Sequence, residues 1–184
     1  MKICLNEMNN INIPIVYDWH LNERHYGALQ GLNKSKMVKK YGEKQVFLWR
    51  RSYDTSPPKL ELNDKRHPKF DLKYNKLKPF ELPSSESLQD TVKRVVQLWE
   101  NDIAPKIISG QKILIVAHGN SLRALVKFID NISDEDIVKL NIPTGTPLIY
   151  ELDIKLNPIK NYYLGDTNEI DKNVANILAQ GKPN

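Results

Sequence analysis

Lys112-Ile113-Leu114-Ile115-Val116-Ala117-His118-Gly119-Asn120-Ser121-Leu122-Arg123-Ala124-Leu125 is the stretch that decides the fold class. Its first half is a continuous apolar run, bounded by Gly110 on one side and His118-Gly119-Asn120 on the other. Flanked by helical patterns, such a run reads as a strand buried on both faces of a parallel sheet. Its second half continues as a helix to Asp130, with Leu122, Leu125, Val126 and Ile129 inward. Upstream, Leu88, Val92, Val95, Val96, Trp99 and Ile103 recur at helical spacing. Ser84, Ser85, Glu86 and Ser87 precede that helix and can cap its free N–H groups, and Pro105 and Gly110 mark its end. Downstream, 147–153 alternates as a strand, 154–157 turns, and 159–164 reads as an antiparallel partner. Helix, strand, helix and hairpin in that order argue for an α/β domain.

Working outward, the chain reads as a single domain over 1–184. Residues 1–10 suit a short helix with Ile3, Leu5 and Met8 on one side, and Ile13-Pro14-Ile15-Val16 a short strand over 13–17. Gly27 and Gly31 break 21–34 into a loop with short turns, and 35–49 is helical with Gly42 interrupting it. The stretch 52–83, with Pro57-Pro58, Pro68, Pro79 and Pro83, is too long for a simple connector and is expected to be a lid-like excursion or partly mobile. Ser133 caps a further helix through about Leu140, and 169–179 is a terminal helix or a mobile tail.

Hydrophobic residues make up 40% and charged residues 27%, as in an ordinary globular domain. No apolar run approaches the roughly 18 residues of a membrane span, and the first residues lack the pattern of a secretory leader. One cysteine, Cys4, cannot form an internal disulfide, which fits a reducing, cytoplasmic setting. The formal net charge of +5 has two readings: a surface that attracts anions, or drift in a sequence rich in Lys, Asn and Ile.

Three constellations carry chemistry. His118, Gly119 and Asn120 sit at the carboxyl end of the expected central strand and at a helix start, where free N–H groups and a partial positive charge favour an anion. The reading is a phosphate or carboxylate pocket holding one imidazole; the plainer reading is a structural histidine. Asn22-Glu23-Arg24-His25-Tyr26, with Lys34 downstream, sets an acid/base carboxylate beside cations, although Glu23 could equally be an ordinary ion-pair partner. Trp49-Arg50-Arg51-Ser52-Tyr53 pairs two arginines with aromatics and suits phosphate, or else a solvated face; one pair is not the basic stripe of a nucleic-acid binder.

The block from Leu21 to Lys34, together with 49–53, Glu86-Ser87-Leu88, Ala117 to Leu125 and Leu140-Asn141-Ile142-Pro143-Thr144-Gly145, resembles the 2,3-bisphosphoglycerate-dependent phosphoglycerate mutases of the histidine phosphatase superfamily. The resemblance runs from about residue 1 to the C-terminus. It implies a three-layer α/β fold around a mixed sheet and a glycolytic isomerase. That enzyme interconverts 2- and 3-phosphoglycerate through a phosphohistidine primed by 2,3-bisphosphoglycerate. It assigns Glu23 as proton donor/acceptor and His118 as stabiliser of the transferring group's charge. Arg24, His25, Tyr26, Lys34, Arg50, Arg51, Gly119 and Asn120 join Glu23 as substrate-binding residues. It implies no metal, because side chains supply the cations. The expected partner is a small phosphorylated substrate, with a homo-oligomer in the full-length enzyme, and neither nucleic acid nor membrane.

Departures from the family pattern are equally informative. The family's Arg-His-Gly, which carries the phosphorylated histidine, occurs nowhere: Arg24-His25 precedes Tyr26, and Arg66-His67 precedes Pro68. His20 stands where the family usually has arginine, and Ser85 where threonine is common. Met1 aligns inside a helix that follows the family's first two strands, so the chain is expected to be N-terminally truncated and to lack both. In the family's six-stranded sheet those two separate the strand at 13–17 from that at 112–117, and 112–117 from 147–153. Unpaired buried backbone groups cost about 1–3 kcal/mol each, against a total stability of about 5–15. The isolated chain is therefore expected to be unstable or aggregation-prone unless its strands re-pair non-natively, and, without the nucleophilic histidine, impaired or inactive as an enzyme. Alternatives are an inactive remnant or interaction fragment, or bisphosphoglycerate synthase or phosphatase action at the same site.

Overall fold

The helix expected after Ser87 forms as α4 (Leu88–Leu98), and the residues before it close its first turn. Ser87 Oγ accepts from the Asp90 N–H at 3.1 Å, and Asp90 Oδ2 accepts from the Ser87 N–H at 3.0 Å, so two donors without helical partners are satisfied reciprocally. The computed structural model describes residues 2–7, 12–166, 168–170, 172 and 174–175. Beyond Leu98 the path widens through a π turn (Trp99–Ile103), in which the Ala104 N–H reaches back to Trp99 O, and re-forms as α5 (Ala104–Ile108). Pro105 thereby falls in the first turn of α5, where its missing N–H is not needed.

α6 (Gly119–Ile129) packs across α4. Leu88, Val95, Leu98 and Trp99 meet Ala124, Leu125 and Ile137 in the core, with Leu88, Ala124 and Ile137 fully buried. Burying one such aliphatic side chain contributes about 1.5–3 kcal/mol. Ile137 comes from a single 3₁₀ turn (Asp136–Val138), shorter than the helix expected to run to Leu140. Ser133 Oγ does cap it, accepting from Asp136 N–H at 3.0 Å. The turn stops because Ile137 O accepts from the Leu140 N–H and from Arg123 Nη2 at 2.7 Å, instead of continuing an α-helical ladder.

α2 (Lys34–Tyr41) and α3 (Glu43–Arg51) are separated at Gly42 as expected. α1 (Lys2–Glu7) matches the short N-terminal helix, although Met8 lies outside the described residues. The described part of the expected terminal helix, 169–170, 172 and 174–175, is helical; 171, 173 and 176–179 lie outside the described residues. β1 (Leu148–Leu152) and β2 (Pro158–Tyr163) form the expected antiparallel hairpin, with Leu148 opposite Tyr163. Leu152 and Leu156 seat the hairpin against the helical core.

Two expected strands are corrected. Among the described residues, the only sheet is the two-stranded β1–β2 hairpin; neither 13–17 nor 112–117 joins a ladder. Residues 111–118 carry no regular secondary structure, with Leu114 61% and Val116 55% exposed and only Ile115 packed toward the core. A strand satisfies its N–H and C=O groups only through neighbours, and no described segment takes the place of the two flanking strands. The α/β class stands, carried by a packed helical unit and one hairpin.

Candidate active site

The loop carrying Glu23 is held by the two core helices. Arg94, on α4, pairs with Glu86 (Nε to Oε1, 2.7 Å), and both side chains are nearly buried. Arg94 Nη1 donates to His20 O and Nη2 to Asn22 O at 2.9 Å. From α6, Ser121 Oγ donates to the same Asn22 O at 2.5 Å. Glu86 also fixes the next residue, since its Oε2 accepts from the His25 N–H at 2.8 Å and its own N–H donates to His25 O at 2.9 Å. A buried pair of this kind is worth keeping intact because removing one partner strands a charge.

After Tyr26 the chain turns at Gly27, with φ +57°; a Cβ there would lie 2.1 Å from Pro58 O. Only glycine fits that approach, and Ala28 N–H uses it to donate to Pro58 O at 2.8 Å. The 52–83 excursion is thus pinned to the site loop. Arg66 adds a second tie by donating to Gln30 O at 2.9 Å while paired to Asp64. Its 3₁₀ turns (Pro68–Phe70, Leu72–Tyr74 and Pro79–Glu81) help wall a cavity of about 740 Å³ that also takes in Asn22, Glu23, Arg24, His25, Glu86, Arg94 and His118.

Glu23 and His118 therefore share one cavity, although they are remote in sequence. His118 is the exposed N-cap residue of α6, and its side chain makes no cap bond. Gly119, exposed, opens the helix, whose N–H groups and dipole favour an anion. Glu23 Oε1 accepts from the Arg24 N–H at 2.7 Å and from Asn120 Nδ2 at 2.8 Å. Asn120 Nδ2 also donates to the Tyr26 hydroxyl at 2.9 Å. Arg24 is 1% exposed, donates to Arg50 O at 3.0 Å, and lies 4.7 Å from the Tyr26 ring centre. Tyr26, Lys34, Arg50, Arg51, Gly119 and Asn120 do not line the cavity itself. Tyr26 and Asn120 reach it through Glu23.

The cations press on one another. Burial, and then the neighbouring Arg50, hold Lys34 and Arg51 below their ordinary values. Arg123, missed as a site residue from sequence, is brought down to about 10 by burial, with Arg51 and Arg24 adding to it. It still carries its charge near neutral pH. Arg24 Nε and Arg123 Nε are buried without a hydrogen-bond partner, an uncommon state for a charged donor. Crowded guanidinium groups with spare donors match a multiply charged anion. His25 is pushed down by burial; Glu86 opposes that, while His67 and Arg66 add to it. Its Nδ1 accepts from the Gly27 N–H at 3.1 Å, so it serves as a neutral hydrogen-bond partner.

The pattern of the histidine phosphatase superfamily (branch 1) matches residues 58–160. The 2,3-bisphosphoglycerate-dependent phosphoglycerate mutase of Borreliella afzelii (strain PKo) is 55% identical over 182 residues, covering 99% of this chain and 73% of the relative. The proteins of the same name from two Borreliella burgdorferi strains, ZS7 and B31, are 54% identical over the same shares.

The chain belongs to the phosphoglycerate mutases of the histidine phosphatase superfamily.

The 22–26 loop, α4 and α6 converge through Arg94 and Ser121, which both donate to Asn22 O. Sequence reading passed over two signals. Arg94 lies on the buried stripe of α4 with Thr91, Val95 and Leu98, and Arg123 lies among the buried residues of α6. An arginine on an apolar helical face has to find a partner inside, and both do so in the site of this mutase-family chain. Among the described residues, no helix is long and apolar enough to cross a membrane, and no cluster of three or more His, Cys, Asp or Glu is placed to hold a metal ion.

Proposed function

We propose that this site binds phosphoglycerate and serves the interconversion of 2- and 3-phosphoglycerate. Glu23 gives and takes the hydroxyl proton, and His118 stabilises charge on the transferring phosphoryl group. The observation that carries the reading is the shared cavity of Glu23 and His118, bordered by Arg24 and by the start of α6. Arg24 lines that cavity and holds negative charge there; Arg50, Arg51 and Lys34, outside the lining, would hold the parts of the ligand that extend beyond it, and Tyr26, Gly119 and Asn120 would orient those parts beside Glu23. 2,3-Bisphosphoglycerate would be held by the same cations, Arg24 among them lining the cavity with a buried Nε donor to spare; when bound it would supply the priming phosphoryl group, whose acceptor in the family is the histidine of the Arg-His-Gly motif that these 184 residues do not contain. The chain's own residues bind, orient and move the hydroxyl proton, consistent with phosphoryl transfer depending on position and charge.

Two observations favour a second reading, that this chain binds without turnover. It contains no Arg-His-Gly, and the apolar 111–118 segment leading to His118 is unpaired among the described residues. Calorimetric titration with 3-phosphoglycerate, beside an assay for 2-phosphoglycerate formation primed by 2,3-bisphosphoglycerate, separates the two. Binding that weakens about tenfold or more in Arg51→Ala supports the site. Turnover decides between the first reading and the second. A chain that binds 3-phosphoglycerate no better than inorganic sulfate sinks both.

A further inference from the structure

The hydrogen bonds around Glu23 have a direction, and one buried side chain sets it. Arg123 is 5% exposed; its Nη2 is tied to Ile137 O at 2.7 Å and its Nη1 points at the Asn120 side chain at 2.9 Å. A guanidinium can only donate. The Asn120 atom facing it therefore has to be the carbonyl oxygen Oδ1, and the amide group is locked with Nδ2 on the opposite side. Both Nδ2 contacts then run outward, to Glu23 Oε1 at 2.8 Å and to the Tyr26 oxygen at 2.9 Å.

Two consequences follow for the atoms that meet a ligand. The Tyr26 oxygen is already an acceptor, so its own proton is free to donate elsewhere. Glu23 Oε1 is engaged by two N–H donors, while among the described residues no hydrogen bond ends on Oε2. We propose that Arg123 is a positioning residue which sets the polarity of this network, leaving Glu23 Oε2 as the oxygen that exchanges the proton and freeing the Tyr26 hydroxyl, which lies outside the cavity lining beside Arg24, to donate to a ligand anionic oxygen that extends past Glu23. The role rests on the phosphoglycerate-binding reading of the site. Arg123 acts through Asn120 and needs no contact with the ligand.

The test uses the full chain, with 3-phosphoglycerate as the titrant and the Asn120 side-chain amide protons read by NMR. Tyr26→Phe is expected to weaken 3-phosphoglycerate about tenfold or more in the native chain, and by less than about threefold in an Arg123→Met background. Arg123→Lys, which can still donate to Oδ1, restores most of the Tyr26→Phe effect. Asn120→Asp gives the answer without removing Arg123: it still accepts from the guanidinium but presents an oxygen to Glu23 and Tyr26. It should abolish the Tyr26→Phe effect as Arg123→Met does. Should the native chain fail to bind 3-phosphoglycerate, the functional reading falls and the amide protons alone decide the network. Their shift in Arg123→Met upholds the locked amide, and unmoved signals overturn it. Equal Tyr26→Phe penalties in every background overturn the proposal outright.

Discussion

α4 and the 112–117 segment are similarly marked in the sequence by aliphatic residues, yet one forms the heart of the molecule and the other lies open. Leu88 and Val95 of α4 are 0% and 1% exposed, whereas Leu114 and Val116 are 61% and 55% exposed. Hydrophobicity does not separate them; backbone hydrogen bonding does. A helix closes its N–H and C=O groups within itself and needs only one face to pack. An extended segment needs partners on both edges before it can leave water.

The contrast can be broken at its strongest point first. Arg94→Met removes the partner of the nearly buried Glu86 and the ties to His20 O and Asn22 O, and is expected to cost about 3–5 kcal/mol in urea unfolding. Leu88→Ala should cost about 2–5 kcal/mol, while Leu114→Ala on the open segment stays within about 0.5 kcal/mol. Equal losses at Leu88 and Leu114 would mean that 112–117 is buried in solution, and the comparison would fail. Amide exchange sharpens the same point: Val116 should exchange much faster than Val95.

The smallest effect concerns pH. His25 is lowered by burial, with Glu86 opposing and His67 and Arg66 reinforcing; His67 is lowered by burial and Lys69, with Asp64 opposing. Unfolded, each imidazole takes its proton near 6.5, whereas the folded chain resists it until lower pH. The unfolded state therefore binds more protons, and stability should fall as pH drops below 6.5. It should level off once the folded values are passed. A His25→Asn/His67→Asn double variant should show a flatter fall between about pH 7.5 and about pH 5.5; an unchanged slope would assign it to other groups.

Legibility in the sequence follows the same division. α4 with its Ser87 cap, the break at Gly42, the helix after His118 and the 148–163 hairpin were readable because local spacing and capping chemistry specify them. The strands at 13–17 and 112–117 were not, since a ladder depends on segments elsewhere. In the site, Glu23, Arg24, Asn120 and His118 were legible as residue types suited to a phosphorylated anion. The scaffold that holds them, Arg94 with Glu86 and Arg123 with Asn120, was hidden, because a charge on an apolar helix face does not name its partner.

By itself the sequence determined α2, α3, α4 and α6, the turn at Gly27 and the supply of cations, each a matter of neighbours along the chain. Only the tertiary structure decided that Glu23 and His118 face one cavity and that the Asn120 amide points its nitrogen at Glu23. It alone also decided that the most apolar run of the chain stays unpaired among the described residues. Local structure follows from propensity and capping; the direction of a hydrogen bond and the burial of a strand are set by what stands beside them.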